Sequence, residues 1–149
     1  MGRFVVCGIG NRLRGDDAVG PLVIDELRKR GLPDSAMLLD CGPAPESFAG
    51  KIIGFAPDAI VMADAVQMNR PAGEVAEIPV DKIKGMFATT HKMPLTLFIE
   101  YMQRSLPKAK IAFFGIQQGS TVFGKGPGKE CKKAVQTAAG MIEKRLEMR

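Results

Sequence analysis

The sequence has no tryptophan, one tyrosine and one histidine, and aromatic residues make up only 6% of it. Single-stranded nucleic acid is held by aromatic platforms along a basic groove, and this chain has little to build one from. The net charge is +5 over 149 residues, but no Lys/Arg block is dense enough to track a phosphate backbone. No apolar run approaches a membrane span, and the apolar stretch within 3–9 is too short for a signal-peptide core. The expected protein is therefore cytoplasmic and engages neither membrane nor nucleic acid. Cysteine is scarce. Cys7, Cys41 and Cys131 are odd in number and scattered, so they give neither a disulfide framework nor zinc spacing. Their expected role is as small buried hydrophobes. With one histidine, a Ser-His-Asp or Cys-His set would have to use His91, and no nucleophile-elbow sequence is present.

What is present is an ordinary globular composition, 46% apolar and 25% charged, long enough for one domain over residues 1–149 with a real core. Apolar runs alternate with helical patterns. Strands are expected at Arg3–Ile9, Ala36–Asp40, Ala59–Ala63 and Ile111–Ile116, with Glu74–Val80 as an edge strand. Helices are expected at Val19–Arg30, Glu46–Lys51, Asp81–Phe87, from Pro94 to Ser105, and at Gly128–Met148. Gly31 stops the first helix, with Pro33 just beyond. This alternation implies a three-layer α/β/α sandwich around a mostly parallel, or mixed, five-stranded twisted sheet.

The chain is organised around Gly8-Ile9-Gly10-Asn11-Arg12-Leu13-Arg14-Gly15-Asp16-Asp17-Ala18-Val19-Gly20, a strand, a glycine-rich turn and the start of a helix. Such a turn lies at the carboxyl end of a strand, where α/β sheets place their ligands. One aspartate there serves as a helix N-cap, favoured by the dipole. A cap needs only one, so the second of Asp16 and Asp17 is left over. Asp64 ends an apolar strand and can face the same crevice as Asp17. His91 lies between a Thr-Thr pair and a proline-started helix, a placement that can aim its ring inward. Two carboxylates and an imidazole would suit zinc, nickel, manganese or iron with coordination sites left open.

Two nucleotide-binding patterns fail. The third glycine of a dinucleotide fingerprint would fall on Leu13, and two carboxylates would repel a pyrophosphate. The stretch 119–126 is one residue short of a P-loop, has Gly126 where the magnesium-binding hydroxyl belongs, and is followed by Pro127.

The motifs Gly8-Ile9-Gly10-Asn11, Gly15-Asp16-Asp17-Ala18-Val19-Gly20-Pro21, Gly42-Pro43-Ala44-Pro45-Glu46, Asp64 after its apolar strand, Thr89-Thr90-His91-Lys92-Met93-Pro94-Leu95 and Gly115-Ile116-Gln117 occur in this order. Together they resemble the hydrogenase maturation proteases, the endopeptidases that trim the large subunit of [NiFe] hydrogenases. The His91 segment looks most like the hydrogenase 3 branch. The resemblance implies that Asp17, Asp64 and His91 engage nickel and carry the catalysis. It further implies that the nickel arrives with the substrate, and that zinc or another divalent ion can take the site in isolation. The implied partner is the large-subunit precursor, and the implied state is a monomer. Gly42, Pro45, Glu46, Thr89 and Thr90 are implied to line the cleft for the precursor's C-terminal segment. Two readings compete with this protease: a non-enzymatic metal-binding escort of the large subunit, which shares the same three residues, and a nucleotide-binding module, which needs neither Asp64 nor His91.

Overall fold

The computed structural model describes residues 2–86 and 94–147. The elements run β1 (Phe4–Ile9), α1 (Val19–Arg30), β2 (Ala36–Gly42), α2 (Ala49–Phe55), β3 (Ala59–Val66), β4 (Val75–Ile78), α3 (Leu95–Ser105), β5 (Lys110–Gln117) and α4 (Lys129–Glu147). Five strands form one sheet in the order β2-β1-β3-β5-β4. β4 alone is antiparallel, on the edge beside β5. The expected α/β/α sandwich with a mostly parallel, mixed sheet is the observed architecture.

Every residue of β1 and β3 is buried. Both strands sit in the middle of the sheet with helices on both faces, so they read as continuous apolar runs rather than as alternating ones. Val6, Val61, Ala63 and Phe114 face α1 and α4, through Val23, Leu27, Ala138 and Ile142. Val5, Ile60, Met62 and Phe113 face α2 and α3, through Ile52, Phe98 and Met102. Gly31 ends α1 in the left-handed conformation (φ 71°), the C-cap that glycine adopts without a Cβ clash.

Several boundaries differ from the sequence expectation. β3 does not end at Ala63. It runs on to Val66 because its ladder with β5 continues through Asp64↔Gly115 to Val66↔Gln117. Asp64 is therefore inside a strand. The expected helix at Asp81–Phe87 is a 3-10 turn at Val80–Lys82, with Gly85 at positive φ after it; Phe87 is outside the described residues. The expected helix at Glu46–Lys51 is split between a 3-10 turn at Pro45–Phe48 and α2. Pro94 stands as the N-cap of α3 instead of opening its first turn.

β1 lies between β2 and β3, so the chain leaves β1 to one side and later returns to the other. Connections diverge at the carboxyl ends of β1 and β3 and leave a crevice there, the usual ligand position in such sheets.

Candidate active site

Glycine lets the first helix start hard against the sheet. A Cβ on Gly20 would stand 2.1 Å from the Ile9 carbonyl oxygen and 2.6 Å from that of Ala63. No other residue fits between α1 and the two central strands. The turn ahead of it, Gly15–Ala18, is a 3-10 helix whose four residues are all buried, and it packs on β3.

That turn does not use its aspartates as caps. Ala18 occupies the N-cap of α1 and makes no side-chain cap bond. Asp16 instead accepts the Gly119 N–H at 2.6 Å with Oδ2 and the Gly128 N–H at 2.8 Å with Oδ1. It ties the loop after β5 and the entry to α4 to the first turn. Asp17 accepts the Asn11 N–H at 2.9 Å. Asn11 in turn accepts the Leu13 N–H with its side-chain oxygen at 2.8 Å, an Asx turn that fixes the loop. The Gly10 N–H donates to the Gly42 carbonyl at 2.9 Å and joins this loop to the end of β2.

Arg12 braces the outside of the same loop. Its guanidinium bonds both Asp25 oxygens at 2.8 and 2.9 Å and reaches Asp40 at 2.8 Å. The guanidinium holds the Asp25 carboxyl below the usual range.

Asp64 is fully buried in β3, two positions before the strand ends. By the alternation of the strand it points to the same face as Met62 and Val66, toward α2 and α3. Asp17 and Asp64 thus come from neighbouring elements at one end of the sheet, as their sequence positions imply. His91, Thr89 and Thr90 lie outside the described residues. Among the described residues no three of His, Cys, Asp and Glu converge as metal ligands.

Gly42 closes β2 at φ 57° and Pro45 opens the buried start of the following 3-10 turn. Glu46 is half-buried, and its Oε1 is enclosed with no hydrogen-bond partner among the described residues. All three lie at or just beyond the carboxyl end of β2, the strand beside β1.

Sequence reasoning named Gln117 only as the end of the motif Gly115-Ile116-Gln117 and gave it no role. Its side-chain oxygen accepts the Met68 N–H at 2.8 Å and the Arg70 N–H at 3.3 Å, and its amide donates to Gln67 and to the Gln118 carbonyl. It holds the loop that follows Asp64. A glutamine ending an apolar strand was the available signal, and its partners are some 50 residues away in the chain.

The three cysteines are free and buried. Cys7 hydrogen-bonds Cys41 beneath the turn, and that bond together with burial pushes its thiol up. Cys131 donates to the Gln117 carbonyl at 3.4 Å. Burial and the nearby Asp16 charge push its thiol up to about 12.

A profile of the hydrogenase maturation protease family, HycI, matches residues 21–145. The chain belongs to that family. It is 31% identical over 140 residues to the hydrogenase 3 maturation protease of Escherichia coli K12, covering 93% of this chain and 88% of the relative. The crystal structure of the [NiFe] hydrogenase maturation protease HycI from Thermococcus kodakarensis superposes with a TM-score of 0.86 at 35% identity, covering 97% of this chain and 92% of that one. The solution structure of the endopeptidase HycI from Escherichia coli gives 0.81 at 31% identity, covering 93% and 87%. The general activity is that of the family, proteolysis in hydrogenase maturation. Among the described residues no helix is long and apolar enough to cross a membrane.

Proposed function

We propose that this protein removes the C-terminal extension from the precursor of a [NiFe] hydrogenase large subunit that already carries nickel, and that Asp17, Asp64 and His91 engage the metal. The observation that supports this most is the burial of two carboxylates, Asp17 and Asp64, at one crevice of the sheet. Two carboxylates held close together at one sheet edge attract a divalent cation. Carboxylate oxygens and one imidazole nitrogen are a suitable donor set for nickel or zinc.

The geometry supports a division of labour among these residues. The Asn11 amide holds one oxygen of Asp17, which fixes the direction of the carboxylate. Asp64 is fixed by its strand. Gly42, Pro45 and Glu46 flank the crevice on the β2 side and line the path of the departing segment; Thr89 and Thr90 are assigned to the same path from the sequence alone. Metal held by Asp17, Asp64 and His91 would supply Lewis-acid chemistry there, polarising the scissile carbonyl or lowering the pKa of an attacking water. A carboxylate of the pair moves the proton from that water to the leaving amine. An empty precursor lacks the anchor, so the metal requirement doubles as a checkpoint. The protein acts as a monomer.

The test is anaerobic incubation with the precursor, with and without nickel, read by intact mass. Loss of a C-terminal peptide from the nickel-loaded form alone, abolished by Asp17→Asn, is the expected result. A stable nickel-dependent complex without cleavage would overturn it in favour of an escort.

A further inference from the structure

The loop between β5 and α4 takes no part in the site above, yet it is built with care. The Gly124 N–H donates to the Leu13 carbonyl at 2.7 Å, the Gly15 N–H to Lys125 at 2.8 Å, and the Asp16 N–H to Ser120 at 2.8 Å. Arg14 and Phe123 form an isolated antiparallel bridge. With the Asp16 carboxylate holding Gly119 and Gly128, the loop and the Asp17 turn become one rigid knuckle.

Its outer surface is apolar. Leu13 is 60% exposed, Val122 53% and Phe123 62%, three of the five large hydrophobic side chains most exposed among the described residues. The clamp keeps this cluster in water. Exposed apolar residues scattered singly need no explanation, but a group on a braced loop marks an interaction site. The rim is basic. The Arg14 guanidinium lies 5.4 Å from the Phe123 ring centroid, and neither Arg14 nor Lys125 is in an ion pair among the described residues. Arginine beside an exposed aromatic ring is the composition of an interface anchor.

We propose that this knuckle docks the folded body of the precursor large subunit, on an apolar patch of the precursor edged by carboxylates. The inference rests on the precursor-processing reading. Charge complementarity selects the occupant: a second copy of this chain docked knuckle to knuckle would bring Arg14 and Lys125 against like charges. Continuity with the Asp17 turn gives the grip its use. A partner seated on residues 13–14 and 122–125 is held within a few residues of the carboxylate that meets the metal. The grip thus acts on binding and leaves the chemical step to the crevice.

The test measures affinity for the nickel-loaded precursor by biolayer interferometry and its cleavage by intact mass. The proteins are wild type, Phe123→Ser, Arg14→Glu and, as a control on α3, Tyr101→Ser. Melting curves confirm that each is folded. Phe123→Ser and Arg14→Glu should each weaken binding and raise KM by about tenfold or more, with kcat within about twofold of wild type and Tyr101→Ser unchanged. The Arg14→Glu loss should shrink at high salt. Wild-type affinity and KM in both knuckle variants would overturn the docking surface while cleavage by the wild type upheld the protease. Knuckle-dependent binding without cleavage would uphold the surface and overturn the protease. A wild-type dimer that Phe123→Ser dissociates, with precursor affinity unchanged, would show that a second copy is the occupant and overturn the proposal.

Discussion

Asp16 and Asp17 are adjacent in the chain and hold different parts of the molecule: Asp16 accepts two backbone amides, from Gly119 and Gly128, while Asp17 accepts that of Asn11 in the turn after β1. The two should separate by mutation. Asp16→Ala removes two charge-assisted bonds in a buried place, and a loss of about 3 kcal/mol in stability is expected in urea unfolding. Asp17→Asn keeps the Asn11 bond and should leave the melting temperature close to wild type. It should lower cleavage of the loaded precursor by at least about a hundredfold. Equal stability loss in both variants would contradict the division.

Gly20 and Gly50 are both helical glycines with opposite expectations. At Gly20 a methyl meets backbone atoms of β1 and β3, and Gly20→Ala should cost about 3 kcal/mol or prevent folding, since backbone cannot move aside. At Gly50, in α2, nothing lies within 4 Å of a new Cβ. Gly50→Ala should stabilise by about 0.5–1 kcal/mol through helix propensity and a less mobile unfolded chain. Denaturant titration of the pair checks both signs.

The thiol of Cys131 supplies an alkaline limit. Its folded pKa is pushed up to about 12 from an ordinary value of 9.0, so between these values the unfolded chain releases a proton that the folded chain keeps. The stabilisation is complete below pH 9.0 and is lost as pH rises toward about 12. Cys131→Ala should flatten that part of the stability profile. The native protein should also resist iodoacetamide at all three cysteines at pH 8, because each is buried out of reach of the reagent.

Arg12 gives a smaller effect at the acid end. Asp25 has a lowered pKa because Arg12 bonds it, so its contribution is present above the unfolded carboxylate value and fades as pH falls through the folded one. Both side chains are about 40% exposed, at 42% and 39%, and solvent screening discounts the pair. Arg12→Met should cost less than about 1 kcal/mol at neutral pH, and less again in 1 M salt. A larger loss would show that Arg12 braces the Asp17 loop beyond its ion pairs, which the cleavage rate would then also register.

Gln117 is buried and serves two backbone amides, those of Met68 and Arg70. Gln117→Leu leaves them without an acceptor at a cost of about 2–3 kcal/mol. The loop after Asp64 should lose its hydrogen-exchange protection first.

The sequence by itself determined the layer architecture, because hydrophobic period is a local signal: continuous apolar runs for buried parallel strands, a 3.6-residue spacing for α1, Gly31 to stop it. It also determined that Asp17 and Asp64 belong to one end of the sheet, because the carboxyl ends of parallel strands share an edge. Tertiary structure decided the rest. The ladder with β5 placed Asp64 inside β3, and no local pattern reports where a neighbouring strand stops pairing. That Asp16 serves the far loop and the α4 entry was decided by Gly119 and Gly128, more than a hundred residues away. A helix cap is a local expectation, and the amides of the α4 entry overrode it. The knuckle at Leu13 and Phe123 was invisible for the same reason: two unremarkable loops become one surface only when the chain brings them together.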